Sequence, residues 1–407
     1  MTRFYFHAHP ADLEAETLDA AFARLRGEIG VDGVIVDAVA PRRLALRPRL
    51  TDAPRIAAHE AAAWFQPNAK HYANARLRPN TATAVKSRNA LARIVEAAAE
   101  QGLAVRAAVN LFDNEALVSR HATIACVDLF GRSHESRLCP SHPDVREFAA
   151  SVVEDVATNF EVEAVELGDI HFGHGLYASC AGGAPLEAGV PMTDDTRSLL
   201  GWCFCPACRQ RADEFNIEAD GVVAELTDIL SADFALRGGG AKPVSFAERV
   251  ASSEQLSAYA KMRTDSVTSL VRGIRRRCSK PLPARATSYP QMTGLAPNAV
   301  ADFVDGFVLS PPTGLSTDGG TLALSNMLKP DASRDRVIES AGGRERVVLE
   351  FPCHPPVTSD GPALVAAVHE AARAGYAAVT FTDYGLAPEV CLDWTRQAIR
   401  FARRESA

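Results

Sequence analysis

Eight short apolar or β-branched runs recur along the 407 residues, and helical patterns separate most of them. No repeat, low-complexity tract or Pro/Gly linker divides the chain. Together these observations predict an α/β fold, a (β/α)8 TIM barrel forming one domain over 1–407. Hydrophobic content of 47% and charged content of 23% are those of a globular protein. A formal net charge of −7 argues against non-specific nucleic-acid binding, which needs a basic face. No apolar stretch has membrane-spanning length, and the N-terminus has no apolar core of signal-peptide size. The expectation is therefore a cytoplasmic protein.

The strands are read in order at 3–9, 33–39, 103–112, 162–170, 281–289, 302–310, 346–351 and 377–384. Between them, a helix is expected from Asp12, with acidic residues in its first turn, to about Ile29, just before Gly30. Another runs from Thr83 to a glycine cap at Gly102. Further amphipathic spacing covers Asp144 to about Asn159 and Gly361 to Gly375. Two insertions interrupt the order. One follows strand two, about 40–82; the other follows strand four, about 171–278, and carries a cysteine cluster among helices. Loops after strands build the working face of such a barrel, so both insertions are expected there.

Strand alternation predicts which side chains enter the barrel. Val165 and Leu167 face the helices, so Ala164, Glu166 and Gly168 point inward, with Asp169 at the strand end. Val347, Leu349 and Phe351 face outward, so Glu350 points inward. The same argument turns Arg106, Ala108 and Asn110 inward on strand three, and Tyr5, His7 and His9 on strand one. Strand eight ends in Asp383 and Tyr384. Two inward carboxylates across a barrel mouth form the pair that glycoside hydrolysis requires: an acid for the leaving oxygen, and a nucleophile or general base.

Cysteines provide the sharpest motif. Cys203, Cys205 and Cys208 stand in GWCFCPACRQ, with Cys139 about sixty residues upstream in SRLCPSHPDVREF. Thiolates so spaced can wrap one tetrahedral zinc, and a closed four-sulfur shell leaves no position for chemistry, so the Zn2+ is expected to be structural. Cys126 is an alternative fourth ligand. Cys180, Cys278, Cys353 and Cys391 read as ordinary buried thiols.

The stretch FGRSHESRLCPSHPDVREF followed by CFCPAC resembles the catalytic barrel of glycoside hydrolase family 42 β-galactosidases. It is similar also to a broader group of glycoside-hydrolase-like barrels with the same cysteine cluster. That resemblance implies a zinc held by Cys139, Cys203, Cys205 and Cys208. It also implies an acid/base at the end of strand four, nearest Glu166, and a nucleophile at the end of strand seven, nearest Glu350. The family has Asn-Glu where this chain has VELGDIHFGHG, so the acid is either Glu166 or Asp169. The implied substrate is a small glycoside or oligosaccharide, with sugar and linkage open. Barrels of this kind often associate, which makes a homo-oligomer an open expectation.

Around the carboxylates, the expected substrate-binding residues are His7, His9, Arg106, Asn110, His171, His174, Tyr289, Asp383 and Tyr384. Trp64, Phe65, Tyr72, Tyr177 and Trp202 are further candidates for stacking on a sugar ring; Arg42, Arg43, Arg76 and Arg78 are candidates for pairing with an anionic one. Three alternatives accompany this reading. His7-Ala-His9 with Asp383 could hold a catalytic metal, as in metal-dependent hydrolase barrels, although strands five and six supply no histidine. The same carboxylates could serve a sugar lyase or isomerase. The barrel could also bind saccharide without turnover.

Overall fold

The computed structural model of the chain describes residues 2–50, 55–85, 89–173, 193–235, 245–287, 290–310 and 331–405. Within these, each of the eight apolar runs forms a strand: β1 Arg3–Ala8, β2 Gly33–Ala40, β3 Ala104–Val109, β4 Ala164–Leu167, β5 Ala284–Arg285, β6 Phe307–Leu309, β7 Val347–Pro352 and β8 Ala378–Thr382. Each pairs in parallel with the next, and β8 pairs with β1, so the sheet closes. The expected barrel is therefore the observed fold.

The alternation that predicted the strands also sorts two cores. Phe4, Phe6, Val34, Val36, Val165, Leu167, Leu349 and Phe351 belong to the main apolar layer between barrel and helices. Each such side chain contributes roughly 1.5–3 kcal/mol on burial. Inside the barrel a smaller cluster packs Tyr5, Ile35, Ala108, Val308, Val348 and Ala378. Gly33 is required beside it, because a Cβ there would lie 2.5 Å from the Ala104 carbonyl and 2.8 Å from the Tyr5 ring.

Helix ends follow the local chemistry, with two shifts from expectation. The first helix begins at Pro10 and breaks at Thr17, whose φ is 74°, before resuming and ending at Gly30 with φ 87°. The helix expected from Thr83 begins only at Ala90, because the Asn89 side chain accepts the Ala92 N–H and caps it there. Thr83–Val85 is a single 3-10 turn. By contrast, Pro143–Asn159 and Gly361–Arg373 lie where the pattern put them, capped by His142 and Asp360.

Excursions follow three strands. After β2 comes a hairpin pairing Arg43–Leu46 with Ile56–His59. After β3 come a helix, Glu115–Arg120, and a hairpin pairing Ala125–Val127 with Ser133–Leu138, which the sequence reading did not anticipate. After β4 the described helices run from Asp194–Leu200 to Glu254–Arg275 and share an apolar core around Trp202, Leu226, Leu256 and Tyr259. No helix among the described residues is long and apolar enough to cross a membrane.

Candidate active site

The carboxyl ends of β4, β5 and β7 bring Glu166, Arg285 and Glu350 together inside the barrel. One guanidinium nitrogen, Arg285 Nη2, donates to Glu166 Oε1 at 3.0 Å and pairs with Glu350 Oε2 at 2.7 Å. The two carboxylates are therefore held within two hydrogen-bond lengths of each other. The other terminal nitrogen of Arg285 donates to the Ser310 hydroxyl just past β6. Glu166 is fully buried, and its second oxygen, Oε2, has no hydrogen-bond partner among the described residues.

These environments push the two acids apart. Burial drives the Glu166 carboxyl up; Arg285 opposes this and the neighbouring Glu350 charge adds to it, leaving the pKa raised. Glu350 feels the same burial, but the Arg285 guanidinium and its hydrogen bond outweigh it, so its pKa is lowered. Two neighbouring carboxyls displaced in opposite directions can divide acid and base roles.

A second set of charges adjoins the first. His7 on β1 lies 3.1 Å from Asp37 Oδ1 on β2, and Asn110 donates to the same oxygen at 3.2 Å. Asp383, just beyond β8, lies 3.9 Å from the other His7 nitrogen and pairs with Arg43 at 3.1 Å. Burial alone would lower the His7 pKa, but Asp37, Asp383 and Glu350 raise it to about 9, so the ring is cationic at neutral pH. Burial raises Asp383 and is only partly offset by Arg43 and His7. Gly168 makes room for this arrangement, since a Cβ there would meet Asn110 Oδ1 at 1.8 Å.

Several expected site residues lie elsewhere. Asp169 accepts the backbone N–H groups of Phe112 and Asp113 at 3.1 and 3.0 Å and pairs with Arg137, which ties the loop after β3 to the end of β4. His171 is buried against the same arginine. Arg106 is committed to Glu163 at 2.8 Å and to the Tyr5 ring, toward the amino ends of the strands. His9 caps the helix beginning at Pro10, stacks on His59 and meets Trp64 edge-on, with burial lowering its pKa to about 3. Tyr384 is buried against Phe6 in the outer layer, its hydroxyl donating to Glu16 at 2.8 Å. Trp64, Phe65, Tyr72 and Trp202 are likewise buried and offer no open ring face. His174, Tyr177 and Tyr289 lie outside the described residues, as does Cys180.

Asp37, Arg285 and Ser310 are the site residues that sequence reasoning missed. Asp37 carried a signal, a lone acid at an inward position of the apolar run GVIVDAV. Arg285 is the single charge in PLPARATSY. Nothing in the sequence linked it to both glutamates.

The cysteine motif closes as the spacing suggested. Cys139, Cys203, Cys205 and Cys208 are fully buried, and their sulfurs all lie within 4.8 Å of one another. Cys139 Sγ is 3.5 Å from Cys208 and Cys205 and 3.9 Å from Cys203. Among the described residues this is the only group of three or more His, Cys, Asp or Glu placed to hold a metal ion. The Val127 N–H donates to Cys203 Sγ at 3.3 Å, a contact that suits a thiolate. The group links the hairpin after β3 to the helical segment after β4.

No protein-family profile and no curated protein matches the sequence. Solved structures do match in fold. The chain is similar to a β-galactosidase from the psychrophilic Marinomonas ef1, with TM-score 0.54 and 12% identity over 99% of this chain and 59% of that one. A β-galactosidase from the haloarchaeon Halorubrum lacusprofundi gives 0.54 at 15% identity, covering 98% of this chain and 58% of that one. The catalytic domain of a β-amylase from Paenibacillus polymyxa gives 0.53 at 12%, covering 99% and 98%. The chain thus spans less than two thirds of either β-galactosidase. At such identities the likeness shows the barrel fold alone.

Proposed function

We propose that this barrel is a glycoside hydrolase acting on a small saccharide, with Glu166 as general acid/base and Glu350 as nucleophile or general base. The observation that carries the reading is the inward pair of glutamates, joined by Arg285, with pKa values displaced in opposite directions. A protonated Glu166 gives its proton to the leaving glycosidic oxygen. An ionised Glu350 attacks the anomeric carbon or activates water there. Arg285 positions both and keeps Glu350 charged. His7, Asp37, Asn110 and Asp383 supply donors and acceptors for sugar hydroxyls. Glu166 is preferred to Asp169 because Asp169 spends both oxygens on backbone amides and Arg137. The fold shared with β-galactosidases and a β-amylase supports the same reading.

The four cysteines fit a structural zinc. The distances of 3.5–3.9 Å from Cys139 Sγ to the other three sulfurs suit a tetrahedron of Zn–S bonds of about 2.3 Å. The closed thiolate shell would fix two loops and supply no catalysis. A catalytic metal on His7, His9 and Asp383 draws no support, because His9 is turned onto His59 and the edge of Trp64.

One observation favours a second reading, a barrel that binds saccharide without turnover: the Arg285 guanidinium lies between the two carboxylates, where a glycosidic oxygen would sit. Turnover of a panel of aryl glycosides and disaccharides decides between them. Hydrolysis by the wild type, falling about 10³-fold in Glu350→Gln, supports the glycosidase. Near wild-type turnover in that variant overturns it. Calorimetric binding of a sugar with no hydrolysis selects the second reading.

A further inference from the structure

Beside the four-cysteine group, away from the barrel mouth, three helices leave a cavity of about 420 Å³. Pro143–Asn159 lends it Arg146 from its first turns, Pro206–Glu214 lends Gln210 and Arg211, and Glu254–Arg275 lends Gly273. Arg277, just past that last helix, completes three arginines around one space, and Glu147 and Glu214 share its wall.

Two of these arginines are neutralised. Arg211 pairs with Glu214 at 3.1 Å and with Asp265. Arg277 pairs with Glu147 at 2.7 Å and with Glu154. Arg146 has no carboxylate within ion-pair distance among the described residues. Its donors go to the carbonyls of Pro140 at 3.3 Å and Ser266 at 2.9 Å, and to Ser269 Oγ at 3.0 Å. Those contacts orient the guanidinium without balancing its charge. Burial and the like charge of Arg211 destabilise the cation, Asp265 offsets this only in part, and Arg272 adds to the repulsion. An anion in the cavity would relieve both.

We propose that this cavity binds a phosphate group, with Arg146 as the anchoring cation and Arg211, Arg277 and Gln210 as further donors. Phosphate suits it because a tetrahedral oxyanion accepts from several converging N–H groups at once, and arginine meets it bidentately. The cavity exceeds the size of one phosphate, so free phosphate and a phosphate monoester are both admissible sources. The floor is open at Gly273, where an added Cβ would meet nothing within 4 Å.

A competing role for the Arg146 charge is to balance the thiolates beside it, since Ser141, also at the cavity wall, lies 3.5 Å from Cys208 Sγ. The fully buried Arg263 already stands within electrostatic reach of Cys203 and Cys208. The two roles predict different results.

The test is calorimetric titration of the full metal-loaded chain with inorganic phosphate at constant ionic strength, then with glucose 6-phosphate. Saturable binding with a dissociation constant on the order of 1 mM or tighter is expected. Arg146→Met and Gly273→Glu should each weaken it about tenfold or more while metal content stays at wild-type level. Gly273→Glu places a carboxylate in open space, so its fold should survive. Tighter binding of the ester identifies a phosphorylated metabolite as the ligand; equal or weaker binding identifies free phosphate. No saturable binding, or wild-type affinity in Gly273→Glu, overturns the proposal. Loss of metal in Arg146→Met with no phosphate binding by the wild type assigns that charge to the thiolates instead.

Discussion

The two ends of the barrel interior use the same residue types to opposite effect. Toward the amino ends of the strands, Glu163 accepts from Arg106 and Arg3 at 2.8 Å and from the Tyr5 hydroxyl at 2.9 Å. Although burial would raise its pKa, these partners lower it, and the carboxylate is fully satisfied. Toward the carboxyl ends, Glu166 shares a single arginine nitrogen with Glu350 and keeps one buried oxygen without a partner. A satisfied, half-buried ion pair such as Arg106–Glu163 helps hold a fold together. A buried carboxyl left partly unsatisfied costs stability and is retained where chemistry needs it.

The contrast can be broken by making one substitution at each end. Glu166→Gln should lower turnover about 10³-fold while leaving the thermal midpoint unchanged or raised, because it removes a destabilised acid. It should also abolish the alkaline limb of the pH–rate profile, which the raised Glu166 pKa sets, and spare the acid limb set by the lowered Glu350 pKa. Steady-state rates across pH and a melting curve check both parts. If Asp169→Asn removes the alkaline limb instead, the acid is misassigned.

Cys205→Ser should abolish the metal binding proposed at the four thiols and lower Tm on the order of 10 °C, since the group joins two loops distant in sequence. Metal content by mass spectrometry with calorimetry reads this. Retained metal would implicate Cys126 as a substitute ligand. Glu163→Gln, the counterpart at the amino end, should cost about 2 kcal/mol in denaturant unfolding while sparing kcat. A large rate loss there would erase the distinction between the ends.

A further effect, confined to alkaline pH, is expected at His7. A histidine whose folded pKa is raised contributes stability that is full below its unfolded value and lost as pH rises through the folded one. For His7 that window runs from 6.5 to about 9. His7→Gln should remove this fall in stability, which linkage puts at up to about 3 kcal/mol across the window. Parallel unfolding curves for wild type and variant at the two pH values would show that the ring is neutral.

Strand order, inward alternation and cysteine spacing were all legible in the sequence. They depend on local periodicity: a two-residue repeat puts Glu350 between outward Leu349 and Phe351 whatever the rest of the chain does. Glu166, Glu350, His7, Asn110 and Asp383 were found this way. The convergence of four sulfurs followed from a short motif plus a family likeness. Tertiary structure alone decided which acids share a cation. Arg285 lies 119 residues from Glu166, and only the pairing of β5 beside β4, with β7 two strands further round the sheet, brings it to both acids. It also turned Asp169, His171 and His9 away from the mouth, because backbone amides, Arg137 and a stack of aromatic rings outside the strands offered better partners than the barrel interior. Periodicity sets the direction in which a side chain leaves its strand. Its partner is set by what other strands and loops bring within a few ångströms, and no local pattern encodes that.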